Sequence, residues 1–225
     1  MRVDFDSEIL TATWHPTKPL IFFGTKSDQV FIYSLSDDLR TLSAQQTLQF
    51  KYEVNDLNCS PAGLLAVALG DGSVSLFAEG SDGKGFTKLE SLSIHTADCY
   101  CVRFSPSGDS LCTGGADAQV TIWNATERPF VPLRCLNRME WPIRSLAFNH
   151  DASFLAVGTE DTFVALEDVK SGQLVAKFAT SRGNRGVPIN CIAWHPTRNI
   201  FAFAGEDVDD RTGRFTGAIR LIGLC

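Results

Sequence analysis

Apolar and polar positions alternate most regularly over residues 95–124, HTADCYCVRFSPSGDSLCTGGADAQVTIWN. Residues 99–104 form a β-branched and aromatic run, residues 111–114 a second, and residues 119–123 a third. Ser105-Pro106-Ser107-Gly108 separates the first two runs, and Ala116-Asp117-Ala118 the last two. Period-two runs bounded by Gly, Pro, Asp and Ser clusters are the signal of strands joined by tight turns. The stretch therefore predicts a three-stranded antiparallel meander. A meander this small cannot cover both of its faces alone.

The rest of the chain repeats the pattern. The first turn recurs as Trp14-His15-Pro16, Cys59-Ser60-Pro61, Phe104-Ser105-Pro106, Phe148-Asn149-His150 and Trp194-His195-Pro196, in steps of 45, 45, 44 and 46 residues. An acidic residue before the third strand recurs at Asp28, Asp71, Asp117, Asp161 and Asp207, in steps of 43, 46, 44 and 46. Fourth strands are predicted at residues 47–51, 87–92, 131–136 and 174–178. A period of about 45 residues with four strands per unit predicts an all-β protein, a WD40-type β-propeller. Five repeats are expected in a single domain, at roughly 1–44, 45–86, 87–130, 131–173 and 174–225. Only Trp123 supplies the tryptophan of the third strand; its counterparts are Tyr33, Phe77, Glu167 and Ile222, and Asn124 replaces the aspartate that follows it. Residues 2–5 fall at a fourth-strand position, and residues 218–222 form a third strand. The first segment is thus expected to complete the last blade. Two polar loops, residues 182–186 and 208–217, break the period and are expected on the surface.

Composition narrows the function. The formal net charge is −6 and the pI about 5.2, which is not the basic footprint of a nucleic-acid binder. Seven cysteines include no Cys-x-x-Cys pair, and most lie in or beside apolar runs, so free buried thiols are expected rather than disulfides or zinc. The first ten residues lack the apolar core of a signal peptide, and no run reaches the ~18 apolar residues of a membrane helix. A soluble intracellular protein is expected, with no membrane partner.

His95, Thr113, Asp117 and Trp123 stand where a WD blade places a buried hydrogen-bond chain. The competing hydrolase triad needs a nucleophile elbow, which Thr113 lacks. The recurring aspartates come from different blades and suit turn capping rather than one metal ion. Asp207-x-Asp209 does not continue as a calcium loop, and residues 80–85, GSDGKG, do not have P-loop spacing. No catalytic, cofactor or metal site, and no small-molecule substrate, is expected. The least generic surface candidate is Arg138, Trp141 and Arg144 in NRMEWPIR, together with Arg182 and Arg185. Arg and Trp are enriched in interface hot spots, although a propeller Trp also packs between blades.

At this segment the chain resembles the THO complex subunit 3 family. The resemblance rests on residues 48–55 (LQFKYEVN), 113–123 (TGGADAQVTIW), 134–151 (RCLNRMEWPIRSLAFNHD), Glu160-Asp161, 192–207 (IAWHPTRNIFAFAGED) and the ending Leu221-Ile222-Gly223-Leu224. It implies the last five blades of a seven-bladed ring. It also implies a non-catalytic subunit of the nuclear THO/TREX assembly, which couples transcription to mRNA export. The other subunits would be its partners, and RNA would be met through the complex. Two readings compete: capture of a short peptide in the central opening, and direct RNA binding through the four arginines.

Overall fold

A computed structural model describes residues 3–80, 83, 85–160, 163–179, 189–208 and 215–224. The described residues form nineteen strands and no helix. The first sheet holds β1 (Ile9–Trp14), β2 (Leu20–Thr25), β3 (Gln29–Leu35) and β4 (Leu42–Gln49). The second holds β5 (Val54–Cys59), β6 (Leu65–Leu69), β7 (Ser73–Glu79) and β8 (Phe86–Ser93). β9 (Cys99–Phe104), β10 (Ser110–Gly115), β11 (Val120–Asn124) and β12 (Val131–Leu136) make the third. β13 (Ile143–Phe148), β14 (Phe154–Thr159), β15 (Phe163–Asp168) and β16 (Leu174–Ala179) make the fourth. The last holds β17 (Ile189–Trp194), β18 (Ile200–Val208) and β19 (Phe215–Gly223). Every sheet is an antiparallel meander, and β1, β5, β9, β13 and β17 pack in succession as the innermost strands. These are the blades of a WD40-type β-propeller.

The cores lie between blades. Phe22, Val30 and Ile32 of the first blade meet Leu57, Leu65 and Val67 of the second. Ala66, Ala68 and Leu76 on the opposite face of that blade meet Val102, Leu111 and Trp123 of the third. Cys112, Val120 and Ile122 meet Ile143, Leu146 and Leu155. Ala156 and Val164 meet Ile192, Phe201 and Phe203. Period-two side chains thus serve two interfaces at once, which is why LAVAL in β6 is buried at every position. Each fully buried Leu, Ile or Phe contributes ~1.5–3 kcal/mol by leaving water.

Two irregularities recur. β-bulges interrupt all five innermost pairs, at Ile9/Thr11, Val54/Asp56, Gly114/Gly115, Ile143/Ser145 and Ile189/Cys191. The second and third strands turn through a left-handed residue: Asp28 (φ 60°), Gly72 (φ 83°) and Ala118 (φ 60°) are equivalent by register. Asp28 therefore lies one place beyond the positions of Asp71 and Asp117, and Ser27 holds their place. An acidic side chain tolerates that conformation, which is why the first step of the acidic series is short.

Two expectations are corrected. Residues 3–5 carry no strand, and the last blade has three strands among the described residues. Instead the Phe5 ring lies 5.2–5.8 Å from Phe23, Phe31 and Tyr33, against the first blade. Cys99, Cys101 and Cys112 are buried free thiols, but Cys135 and Cys191 are exposed. Both occupy strand positions whose outward face no blade covers. The loop expected at 182–186, with Arg182 and Arg185, lies outside the described residues, as do residues 209–214 of the loop expected at 208–217, whose residues 208 and 215–217 belong to β18 and β19.

Candidate functional site

Topology divides the propeller into two ends. One carries the turns between first and second strands, around Pro16, Pro61 and Pro106. The other carries the second turns and the linkers that join blade to blade, including residues 50–53, 94–98 and 137–142. We call it the linker face.

The buried chain beneath the linker face is complete in the third blade. Trp123 Nε1 donates to Thr113 Oγ1 at 3.1 Å, and Thr113 Oγ1 lies 2.9 Å from His95 Nε2. His95 Nδ1 lies 3.0 Å from Asp117 Oδ1. The Asp117 carboxylate can only accept, so His95 Nδ1 donates to it, and the indole can only donate, so Thr113 Oγ1 accepts from Trp123 and links it to His95 Nε2. Asp117 also accepts Thr96 N at 3.0 Å and Gln119 N at 3.2 Å, tying linker and turn together. A Cβ at position 115 would fall 2.7 Å from His95 Nδ1 and 2.6 Å from Asp117 Oδ1, so the network requires Gly115. Each member of the chain is satisfied by the next, and the role is positional. Asp71 caps its own turn in the same way, accepting Ser73 N at 3.0 Å.

A second device links the innermost strands. Asp56 accepts Thr11 Oγ1 at 3.1 Å, Val102 N at 3.0 Å and the Arg103 guanidinium. Asn58 accepts Phe104 N at 2.8 Å, and Ser145 accepts Ile192 N at 3.1 Å. Each side chain satisfies a backbone N–H of the next blade's inner edge, which the sheet leaves unpaired. A cavity of about 350 Å³ opens among these strands at the proline-turn end, lined by residues of all five blades, including Pro16, Pro61, Arg103, Phe104, Phe148 and Ile192. Alternation along the chain does not reveal these rungs. Their signal is the polar trio Thr11, Asp56 and Ser145, which occupy equivalent places after the bulges of their innermost strands.

On the linker face, Trp141 is 49% exposed. It does not pack between blades. Arg138 Nη2 donates to Gly172 O at 2.6 Å, and Nη1 lies 3.4 Å from Glu167 Oε2. Arg144 Nε donates to Glu160 Oε1 at 2.7 Å, and the guanidinium lies 4.5 Å over the Tyr100 ring. Arg144 and Tyr100 are both the extra residues of their blades' bulges, which turn side chains out of the ladder. The linker thus carries Arg138 and Trp141, with Arg144 at the start of β13, and both guanidinium groups are anchored, that of Arg138 on the β15–β16 turn and that of Arg144 on Glu160.

Glu167, in the tryptophan position of the fourth blade, is fully buried, and its Oε1 has no partner among the described residues. Burial raises its pKa, opposed by Arg138 and Lys177. Burial also pushes the Cys59 thiol up to about 12 and those of Cys99, Cys101 and Cys112 higher still, so none is a thiolate at neutral pH. Burial and the Lys18 charge lower the pKa of His15, against Glu79. Among the described residues, no group of three or more His, Cys, Asp or Glu is placed to hold a metal ion.

Two family models match parts of the chain: the WD domain, G-beta repeat over residues 86–124, and the anaphase-promoting complex subunit 4 WD40 domain over residues 135–197. THO complex subunit 3 of Arabidopsis thaliana is 27% identical over 224 residues, covering 99% of this chain and 66% of the relative. WD repeat-containing protein AAC3 of Dictyostelium discoideum is 26% identical over 91% of this chain, which spans 41% of that relative. WD repeat-containing protein 1 of Bos taurus is 30% identical over 48% of this chain, and the match spans 17% of its length. The chain thus spans less than two thirds of the length of each of these relatives. A match along 99% of the chain, which itself carries a WD repeat, supports it as a partial homologue of THO complex subunit 3.

Proposed function

We propose that the chain is a non-catalytic WD-repeat scaffold of the nuclear THO/TREX assembly, coupling transcription to mRNA processing and export through protein–protein contacts. The observation that carries this reading is the similarity to THO complex subunit 3 across 99% of the chain. The linker face supports it: Trp141 offers a large half-exposed aromatic surface, and Arg138 and Arg144 are held in place before any partner arrives. Arginines already held in place lower the ordering cost of an interface, and tryptophan and arginine are the side chains that most often anchor one. RNA is met through the complex, in keeping with the net charge of −6. Affinity purification of the tagged native protein from nuclear extract, with RNase and mass spectrometry, tests it. Recovery of the other THO subunits after RNase is expected. Their absence sinks the proposal.

A second reading, capture of a short peptide, draws on the cavity of about 350 Å³ with Phe104, Phe148 and three prolines in its wall. It moves ahead if the purification returns one peptide-bearing partner in place of THO subunits.

A further inference from the structure

The first and second blades enclose a polar cleft of about 360 Å³ on the linker face. Its walls are the linker residues Lys51 and Tyr52, the strands β7 and β8, and Asp71. Ser73 pairs with Ser93 and Ser75 with Ser91 across the β7–β8 ladder, so four hydroxyls share one face of the hairpin. Ser75 is 1% exposed, lines the cleft, and its Oγ has no hydrogen-bond partner among the described residues. Ser91 and Ser93 are exposed at its side, and Lys88 joins Lys51 at the rim. No ion pair engages either lysine among the described residues.

The equivalent surfaces of the first, third and fourth blades are satisfied internally. In the third blade Thr121 donates to Cys135 Sγ at 3.9 Å, and Cys135 donates to Gln119 Oε1 at 3.1 Å. In the first, Gln29 donates to Gln49 at 2.9 Å beside Phe31. In the fourth, Ala165 replaces the hydroxyl, and Lys177 lies 4.0 Å over the Phe163 ring. Among the described residues, the second blade alone combines an unsatisfied buried hydroxyl with lysines outside any ion pair.

We propose that this cleft binds a phosphate monoester, as free phosphate or as the phosphoserine side chain of a partner polypeptide. A hydroxyl on the floor and ammonium groups at the rim are donors suited to an oxyanion. Two lysines at the rim attract the charge of about −1.5 to −2 carried by a phosphate monoester. Asp71, whose carboxylate accepts Ser73 N at 3.0 Å and Ser73 Oγ at 2.6 Å, offsets one lysine and leaves one net positive charge in the lining. A monoester presents a terminal group that reaches a buried floor. A phosphodiester, flanked by sugars, cannot enter in this way, and the chain's net charge of −6 repels a polyanion. The site does not depend on the THO assignment.

Calorimetric titration of the intact chain at fixed ionic strength tests it. The ligands are inorganic phosphate, a phosphoserine peptide, its unphosphorylated twin and a single-stranded RNA. Stoichiometric binding of phosphate or the phosphopeptide is expected, and the stronger of the two identifies the source. The Lys51→Gln/Lys88→Gln variant and Ser75→Ala should each weaken binding about tenfold or more, the scale of losing a charge-assisted hydrogen bond. Ser75→Ala removes an unsatisfied hydroxyl and should hold or raise the melting temperature, which separates lost binding from lost folding. Absent binding of both phosphate ligands, unchanged affinity in both variants, or RNA binding as tightly as the phosphopeptide overturns the proposal.

Discussion

At the residue scale, His95, Thr113, Asp117 and Trp123 show how much one satisfied chain is worth. Thr113→Val keeps the shape and removes both hydrogen bonds made by the hydroxyl. It strands the buried indole N–H and the imidazole Nε2, so a loss of about 2 kcal/mol in urea unfolding is expected. Glu167 is the opposite case, a buried carboxylate with one oxygen unpaired among the described residues. Its folded pKa lies above the ordinary 4.5, so the folded state binds the extra proton. Stability from this group is full below pH 4.5 and falls as pH rises through the folded value. Glu167→Gln mimics the protonated form. Its denaturation midpoint should exceed that of the parent at pH 7, with the gap closing toward pH 4. The positions of these residues were legible from their period. Their energetics were not, because the partner of Glu167 is Arg138, twenty-nine residues away and on a linker.

At the element scale, strands and turns followed from alternation and turn chemistry. The bulges did not, because the extra residue shows only when two strands are paired. That is why Arg144 was legible as a candidate while its position over Tyr100 was not. The inner-edge rungs have the same origin: Asp56 reads as a polar residue in a strand until the next blade brings Val102 N to 3.0 Å. Asp56→Ala leaves the Arg103 guanidinium, Val102 N and Thr11 Oγ1 without this acceptor. Unfolding should lose about 2–3 kcal/mol, and hydrogen exchange should quicken in β5 and β9 before β13.

At the scale of the whole molecule, four apolar cores join five blades in succession. The two outermost faces are different. Ile219 and Leu221 on β19 are 77% and 73% exposed, and Trp14 on β1 is 53% exposed. Contiguous exposed apolar side chains bind hydrophobic dyes and favour association. Anilinonaphthalene sulfonate fluorescence should therefore be high for this chain, and Ile219→Lys with Leu221→Lys should lower it severalfold without shifting the melting temperature. An unchanged signal would place the dye elsewhere.

The sequence by itself determined the repeat, the strand content and the residues of the buried network, because these depend on local alternation, turn residues and a period of about 45. Tertiary structure alone decided what each polar residue does. Trp141 is half exposed, where the sequence favoured packing between blades. Phe5 covers the first blade rather than extending the last. Ser75 has no partner among the described residues, although Thr121 at the same place in the next blade has one. Each outcome turns on which side chain the neighbouring blade or linker brings within hydrogen-bond or contact distance. That choice is made between segments far apart in the chain, where alternation along one strand carries no information.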